Sequence, residues 1–127
     1  MSNKLKQASI IVTLCSLSWL LNTSCKNETD NKLIIGHWTG TEWLVEGQPS
    51  SHTPEAAIFT FDDQGNYTFT YNDDVEKGTY YTNNNELFTT PEGGIKMMVK
   101  IPKLTQDTLI FDMNRGGQAE RLTLVRK

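Results

Sequence analysis

The chain has 127 residues and carries 12 basic against 15 acidic side chains, a formal net charge of −3 at pH 7. This mildly acidic, well-mixed charge argues against nucleic-acid binding and against adhesion to anionic lipid by electrostatics alone. The two cysteines are Cys15 and Cys25, so residues 26–127 contain no thiol, which excludes a disulfide-stabilised fold and thiol catalysis for that part.

The first 24 residues have the pattern of an export signal. Lys4 and Lys6 form a short basic beginning, and a mostly apolar run over residues 8–21 follows, with no charge before Lys26. The run is shorter than the about 20 apolar residues that a transmembrane helix needs, and it suits the apolar region of a signal peptide. We therefore predict that residues 1–24 are removed, which leaves 10 of the 12 basic and all 15 acidic side chains in the mature chain.

The predicted signal ends at a cysteine. Leu21-Asn-Thr-Ser-Cys25 resembles the lipobox of bacterial lipoproteins, in which a small residue precedes the cysteine. The resemblance implies that Cys25 becomes the first mature residue and carries a diacylglyceryl group and a further acyl chain such as palmitate, which holds a protein on a membrane without spanning it. Because Lys26 replaces the aspartate associated with inner-membrane retention, we expect the outer membrane, at its periplasmic face or the cell surface. Residues 25–32 form a lipidated, polar and flexible tether in this interpretation.

Beyond the tether, apolar and polar residues alternate with period two, and Gly, Asn, Asp and Pro separate the alternating runs. This pattern predicts an all-β domain over residues 33–127, built from eight short antiparallel strands. Most connections have about three to seven residues, so strands adjacent in sequence should pair in the sheet. The predicted strands are 34–45, 56–61, 67–71, 79–82, 86–90, 95–101, 108–113 and 119–126.

The same pattern predicts that the sheet closes into a barrel. An open meander of eight strands has two exposed edges, and pairing the first strand with the last removes both. We therefore predict an eight-stranded antiparallel up-and-down barrel in which Trp38 lies near Arg126. The residues predicted to face its interior are Trp38, Gly40, Glu42, Leu44, Ala57, Phe59, Phe61, Tyr67, Phe69, Tyr71, Ile95, Met97, Val99, Ile101, Leu109, Phe111, Met113, Leu122, Leu124 and Arg126.

Several motifs carry a resemblance to a known family. Gly36-His-Trp38 resembles the G-x-W motif of lipocalins, and the hairpin Phe61-Asp-Asp-Gln-Gly-Asn-Tyr67 and the D-T-L and L-x-R segments near the end are similar to those of small bacterial lipocalin-like lipoproteins. The resemblance covers about residues 33–127. It implies a lipocalin-like barrel whose floor is formed by Gly36, Trp38 and Arg126, with the guanidinium stacked over the indole.

The sequence gives little support for catalysis or metal binding. His37 and His52 are the only histidines, and no spacing of carboxylates around them indicates a zinc site or a catalytic triad. Asp62-Asp63 and Asp73-Asp74 lie in predicted turns, where turn formation and solvation explain them. We therefore expect no enzymatic activity, no metal and no cofactor.

Two functions remain open. In the first, the barrel binds a small apolar molecule in or at its mouth, under the long connection 46–55, which stands where lipocalins carry a covering loop. Glu42 would then meet a cation or orient the ligand, unless a strand bulge turns it outward. In the second, side chains fill the barrel, and its loops or wall contact a protein partner, as in barrel-shaped protease inhibitors. The predicted ligand-binding residues are Glu42, Leu44, Tyr71, Met97 and Met113.

Overall fold

The computed structural model describes residues 31–127, so the predicted signal segment, Cys15 and Cys25 lie outside the described residues. This range contains two 3₁₀ helices, Lys32–Ile34 and Pro54–Ala56, and no helix in it is long and apolar enough to cross a membrane. Its nine strands are β1 Gly36–Val45, β2 Gln48–Pro49, β3 Ala57–Phe61, β4 Asn66–Tyr71, β5 Asp74–Asn83, β6 Glu86–Pro91, β7 Met97–Leu104, β8 Thr108–Arg115 and β9 Gln118–Arg126.

Strands β1 and β3–β9 form a closed barrel. From β3 to β9 consecutive strands pair antiparallel, and β1 pairs with both β3 and β9. Trp38 of β1 lies directly opposite Arg126 of β9. The predicted eight-stranded antiparallel barrel is therefore confirmed. The two-residue β2 is an addition, because it pairs only with the end of β1 in a hairpin at the barrel rim.

Two strands differ from the predicted boundaries by more than two residues. β5 begins at Asp74, so most of the predicted loop 72–78 is strand, and only Asn72 and Asp73 form the turn. The ladder to β4 decides this, because cross-strand hydrogen bonds outweigh the weak strand preference of Asp, Glu, Lys and Gly. β7 begins at Met97, so Ile95 precedes it and is 80 % exposed. The prediction that Ile95 faces the interior is wrong.

A bulge in β1 reverses the faces of its second half. The register against β9 shifts between Gly40 and Glu42, which makes Thr41 the extra residue. An inserted residue exchanges the inward and outward positions that follow it. Trp43 therefore points inward and is 5 % exposed, whereas Glu42 and Leu44 point outward. The prediction that Glu42 and Leu44 face the interior is wrong for this reason, and the outward alternative for Glu42 is the observed one.

The core fills the lower half of the barrel and reaches its middle. There the Phe59 ring stacks on the Phe69 ring at a centroid distance of 4.4 Å and meets the Phe111 ring edge-on at 5.3 Å. Because closure and core both lie within residues 31–127, this range has everything that an independent folding unit needs. The largest fully buried side chains are Ile34, Trp38, Phe61, Leu87, Leu109, Phe111, Leu122 and Leu124.

Candidate functional site

The floor of the barrel is built around Trp38 and Arg126. The guanidinium carbon of Arg126 lies 4.3 Å from the centre of the Trp38 ring, and the indole N–H donates to the carbonyl of Ile34 at 2.8 Å. Arg126 also donates to the backbone carbonyls of Ile35 and Gln106, both at 2.7 Å. One guanidinium thus joins the residues before β1, the β7–β8 connection and the end of β9, which seals this end of the barrel.

Gly36 lies against the same guanidinium. Its φ is +139°, and a Cβ atom at this position would stand 2.4 Å from Nη1 of Arg126. Only glycine combines this backbone conformation with that close approach. The structure therefore brings Gly36, Trp38 and Arg126 together at the closed end.

The folded domain begins earlier than the boundary at residue 33 that the sequence suggests. Asn31 accepts the backbone N–H of Leu33 through its side chain and so caps the first 3₁₀ helix, while its own N–H donates to Oγ1 of Thr82 at 3.0 Å. Both contacts lie at the floor. The chain therefore enters the barrel at its closed end, and Asn31 and Lys32 belong to the domain rather than to a flexible tether.

At the opposite, open end the connection between β1 and β3 folds over the mouth. The imidazole ring of His52 lies 4.3 Å from the Trp43 ring and 5.8 Å edge-on from the Tyr71 ring. The backbone N–H of Thr53 donates to the Tyr71 hydroxyl at 3.0 Å. These contacts fix one side of the connection over the rim, as the lipocalin resemblance implies.

The same connection also packs against the inner wall. A Cβ atom on Gly40 would stand 2.2 Å from the carbonyl oxygen of Pro54 and 3.4 Å from the side chain of Leu122. β1 and β3 pair only as far as Thr39, and the second 3₁₀ helix fills the space where they separate. The mouth is therefore partly covered from the β1 side and open toward β4–β8.

The open half of the barrel is lined by apolar side chains that point inward and yet remain accessible. All of them except Met97 are opposite partners or alternate neighbours of a buried residue in the ladders, which fixes their inward direction. Met97 shares the face of Val99, which stands opposite buried Leu87. Hydrogen-bonded strands surround them, so solvent reaches them through the mouth. We call this open half the cup, and its apolar lining consists of Phe59, Phe69, Tyr71, Met97, Val99 and Met113.

The structure separates the predicted ligand-binding residues into two groups. Tyr71 and Met113 face the cup and pack against the core while remaining half-buried. Met97 faces inward at the rim and is 49 % exposed. Glu42 and Leu44 lie on the outer wall beyond the β1 bulge and do not reach the cup. Three of the five residues are therefore brought together at one site.

Glu120 faces the interior and was missed in the sequence analysis. This carboxylate on β9 is 7 % exposed, accepts the indole N–H of Trp43 at 2.8 Å and lies 3.7 Å from the guanidinium of Arg115. It shares the alternation of Leu122 and Leu124, both buried. That alternation was the signal that could have identified it.

Glu76 is a second inward-facing carboxylate that the sequence analysis missed, because it lies in the predicted loop 72–78. It stands opposite Phe69 in the β4–β5 ladder, and its Oε2 accepts the hydroxyl of Tyr67 at 2.7 Å. Burial, together with the hydrogen bond and the negative charge of Glu76, raises the pKa of Tyr67 far above its ordinary value. The phenol therefore stays protonated and serves as a permanent donor to Glu76.

The chain is similar to known proteins in sequence and in fold. The sequence model of the family described as lipocalin-like domain matches residues 34–111. A solved structure of an uncharacterized protein from Bacteroides eggerthii DSM 20697 has 13 % identity and a TM-score of 0.56, covering 74 % of this chain and 99 % of that chain. A lipocalin-like protein from Bacteroides uniformis ATCC 8492 has 12 % identity and a TM-score of 0.56, with coverages of 75 % and 99 %.

These low identities show a shared fold alone. No curated protein matches the chain significantly. Within residues 31–127 no group of three or more His, Cys, Asp or Glu side chains is placed to hold a metal ion. The family match spans more than half of the chain, and the barrel of this chain has the topology expected of that family. The protein therefore belongs to the lipocalin-like domain family.

Proposed function

We propose that the protein is a binding protein, not an enzyme, and that it holds a small apolar molecule in the cup. The observation that carries this proposal is the partial exposure of inward-facing apolar side chains above a sealed floor. A concave apolar surface with few polar groups is the usual form of a small-molecule site. The aromatic and methionine side chains of the cup supply such a surface, and thioethers adapt to ligands of different shape.

Two adjacent methionines offer a matched test. Met97 points into the rim of the cup and is 49 % exposed, whereas Met98 points outward and is 44 % exposed. Residues 26–127 would be titrated with N-phenyl-1-naphthylamine, a neutral apolar dye that fluoresces in apolar surroundings. Met97→Lys places a charge in the cup and should weaken dye binding by about tenfold or more, since burying an unpaired charge costs free energy. Met98→Lys should leave dye binding unchanged.

The outcomes are distinct. Absence of dye binding to the unaltered protein, or equal effects of the two lysine substitutions, would contradict binding in the cup. Circular dichroism and thermal unfolding of both variants identify a loss of fold. The two substitutions should affect stability to a similar extent, because Met97 and Met98 occupy neighbouring positions on the same strand and have similar exposure.

We also propose that the mature protein is attached to the outer membrane through acyl chains on Cys25. The lipobox-like sequence supports this, and so does the position of Asn31 at the closed end of the barrel. Residues 26–30 can span at most about 20 Å between Cys25 and Asn31. In this arrangement the floor faces the membrane, and the mouth opens away from it.

The anchor can be tested by fractionation. Cys25→Ala should move the protein from the membrane fraction to the soluble fraction, because two or more acyl chains give stable attachment. Ser24→Ala serves as the control, since alanine keeps a small residue before the cysteine and attachment should persist. Retention of Cys25→Ala in carbonate-washed membranes would contradict lipid anchoring.

A protein partner is the second candidate function, and one feature of the outer wall favours it. The rings of Tyr81 and Phe88 stack at 4.8 Å, and Met98 stands opposite Phe88 in the ladder. Lys96 covers this group, with Nζ 5.2 Å from the Tyr81 ring centre. Contiguous exposed apolar patches mark interaction surfaces in other proteins. If this function applies, Met98→Lys should abolish partner capture in crosslinking on whole cells, whereas Met97→Lys should not.

A further inference from the structure

We propose that the cup selects a cationic amphiphile, a molecule that joins an ammonium group to an apolar body. This inference rests on the proposed ligand binding in the cup and specifies the chemical class of the ligand. It follows from the position of Glu76, from the aromatic rings on the adjacent strands β4 and β3, and from the excess of negative charge around the mouth.

Glu76 is an inward-facing carboxylate without a cationic partner. Within residues 31–127 the ion pairs closer than 4 Å join Arg115 to Glu120 and Arg121 to Asp112, so neither involves Glu76. Its hydrogen bond comes from the neutral hydroxyl of Tyr67. A half-buried carboxylate without a counter-charge is an unfavourable arrangement. An ammonium group placed beside it would supply that counter-charge.

Aromatic rings lie where such an ammonium group would be placed. Phe69 stands directly opposite Glu76 in the ladder, and Phe59 stacks on Phe69 at 4.4 Å. Tyr71 follows on the same face of β4 and contacts the ring of Trp43 at 5.7 Å. The faces of aromatic rings attract cations, with the strongest effect in desolvated sites. One side of the cup therefore combines a carboxylate with ring faces. This combination suits both the ammonium head and the apolar body of such a ligand.

Among the charged side chains that face the mouth, carboxylates outnumber cations. Asp74 lies at the rim opposite Tyr71, and Glu120 lies below the rim on β9. Arg115 is the cation near these groups, and it is paired with Glu120 at 3.7 Å. Arg126 also points inward, but its guanidinium is occupied at the floor by Trp38 and backbone carbonyls. A field of this sign favours entry of cations and disfavours the carboxylate head of a fatty acid.

The test compares three ligands that share one tail. Octyltrimethylammonium, octanol and octanoate would compete with N-phenyl-1-naphthylamine for residues 26–127 at low ionic strength. We expect half-displacement by the cation at a concentration about tenfold below that of octanoate, with octanol between them. Equal displacement by the cation and octanoate, or a preference for octanoate, would overturn the inference.

Two substitutions assign the preference to Glu76. Glu76→Gln keeps an oxygen acceptor for the Tyr67 hydroxyl and removes the charge, so it should reduce the advantage of the cation about fivefold or more and leave displacement by octanol unchanged. Glu86→Gln is the control, because Glu86 lies on the outer face of β6 and is also half-buried. A cation preference that survives Glu76→Gln would overturn the assignment.

The same titration separates the two proposals. If the dye does not bind, or if Met97→Lys leaves its binding unchanged, the proposed function fails and the inference fails with it. If the dye binds and Met97→Lys weakens it, but the three octyl ligands compete equally, the cup binds apolar molecules without selecting a charge, and the inference alone is wrong.

Discussion

The guanidinium carbon of Arg126 lies 4.3 Å from the centre of the Trp38 ring, and the two residues are direct partners in the ladder between the first and the last strand. One contact therefore joins the ends of the folded chain and closes the floor. Arg126 also binds the backbone of Leu33 and Ile35 before β1. The barrel seam and the floor are stabilised by the same residue pair, so both should respond to its removal.

Trp38→Ala should lower the free energy of unfolding by about 3–5 kcal/mol, because it leaves a large cavity beneath Arg126. For a domain of this size that corresponds to a fall in Tm of about 12 °C or more. Urea unfolding followed by circular dichroism measures the change. Ile58→Ala, which truncates a side chain that is 40 % exposed, is the comparison and should cost much less. An unchanged Tm for Trp38→Ala would show that Trp38 does not support the floor.

Gly36→Ala should destabilise the protein more than Gly93→Ala. Both glycines have positive φ, so both substitutions carry a backbone cost of about 1 kcal/mol. Only at Gly36 does the new Cβ meet another group, Nη1 of Arg126 at 2.4 Å. Around Gly93 no atom lies within 4 Å of that position. Thermal unfolding of the two variants makes the comparison, and equal Tm values would argue against a close contact between Gly36 and Arg126.

Glu120→Ala should cost about 1–3 kcal/mol, because it leaves the buried indole N–H of Trp43 without its acceptor. Glu120→Gln keeps an acceptor and should cost less. Arg115→Ala removes only the exposed partner, whose side chain is 55 % accessible, and should change stability by less than about 1 kcal/mol. Chemical unfolding of the three variants measures their free energies of unfolding and so gives the order of the three losses. A larger effect of Arg115→Ala than of Glu120→Ala would contradict this account of the site.

Asp112 and Arg121 form a two-point ion pair on the outer wall, with both N–O distances at 2.7 Å. The hydrogen bonds from Arg121 hold the pKa of Asp112 below its ordinary value, against the opposing effect of burial. A lowered folded-state pKa gives stabilisation that is present above the unfolded pKa of about 4 and is lost as the pH falls through the folded pKa. Asp112→Asn should therefore lower Tm at pH 7, and this loss should shrink as the pH falls below about 4.

Arg121→Gln provides the control for that pH dependence. It should produce the same loss at pH 7, and the double variant Asp112→Asn with Arg121→Gln should lose little more than either single variant, because both remove one interaction. A Tm difference for Asp112→Asn that is as large at low pH as at pH 7 would exclude the ion pair as its cause.

Periodicity in the sequence was sufficient to predict the strands that form the wall of the barrel. Alternation assigned most strands to within a few residues, and short connections required neighbouring strands to pair, so closure followed from the need to cover two edges. Trp38 and Arg126 could be matched in advance for the same reason, since antiparallel closure places the start of β1 beside the end of β9.

The lining of the cup could not be assigned in the same way. Because Thr41 is an inserted residue, Trp43 faces the interior in place of Glu42 and Leu44. A period-two pattern in the sequence contains no mark of such a bulge. Glu76 was hidden in a run of residues with weak strand preference, which pairing with β4 holds in the ladder. Both features arise from hydrogen bonding to a neighbouring strand.

The sequence by itself therefore determined the architecture, because alternation, turn residues and connection lengths are local properties of the chain. The tertiary structure alone decided which charges face the cup, because the face of a strand residue depends on register and bulges set by the partner strands. The distinction matters for function here. The sequence suggested Glu42 as the polar group of the site, whereas the folded chain places Glu76 and Glu120 on the inner wall.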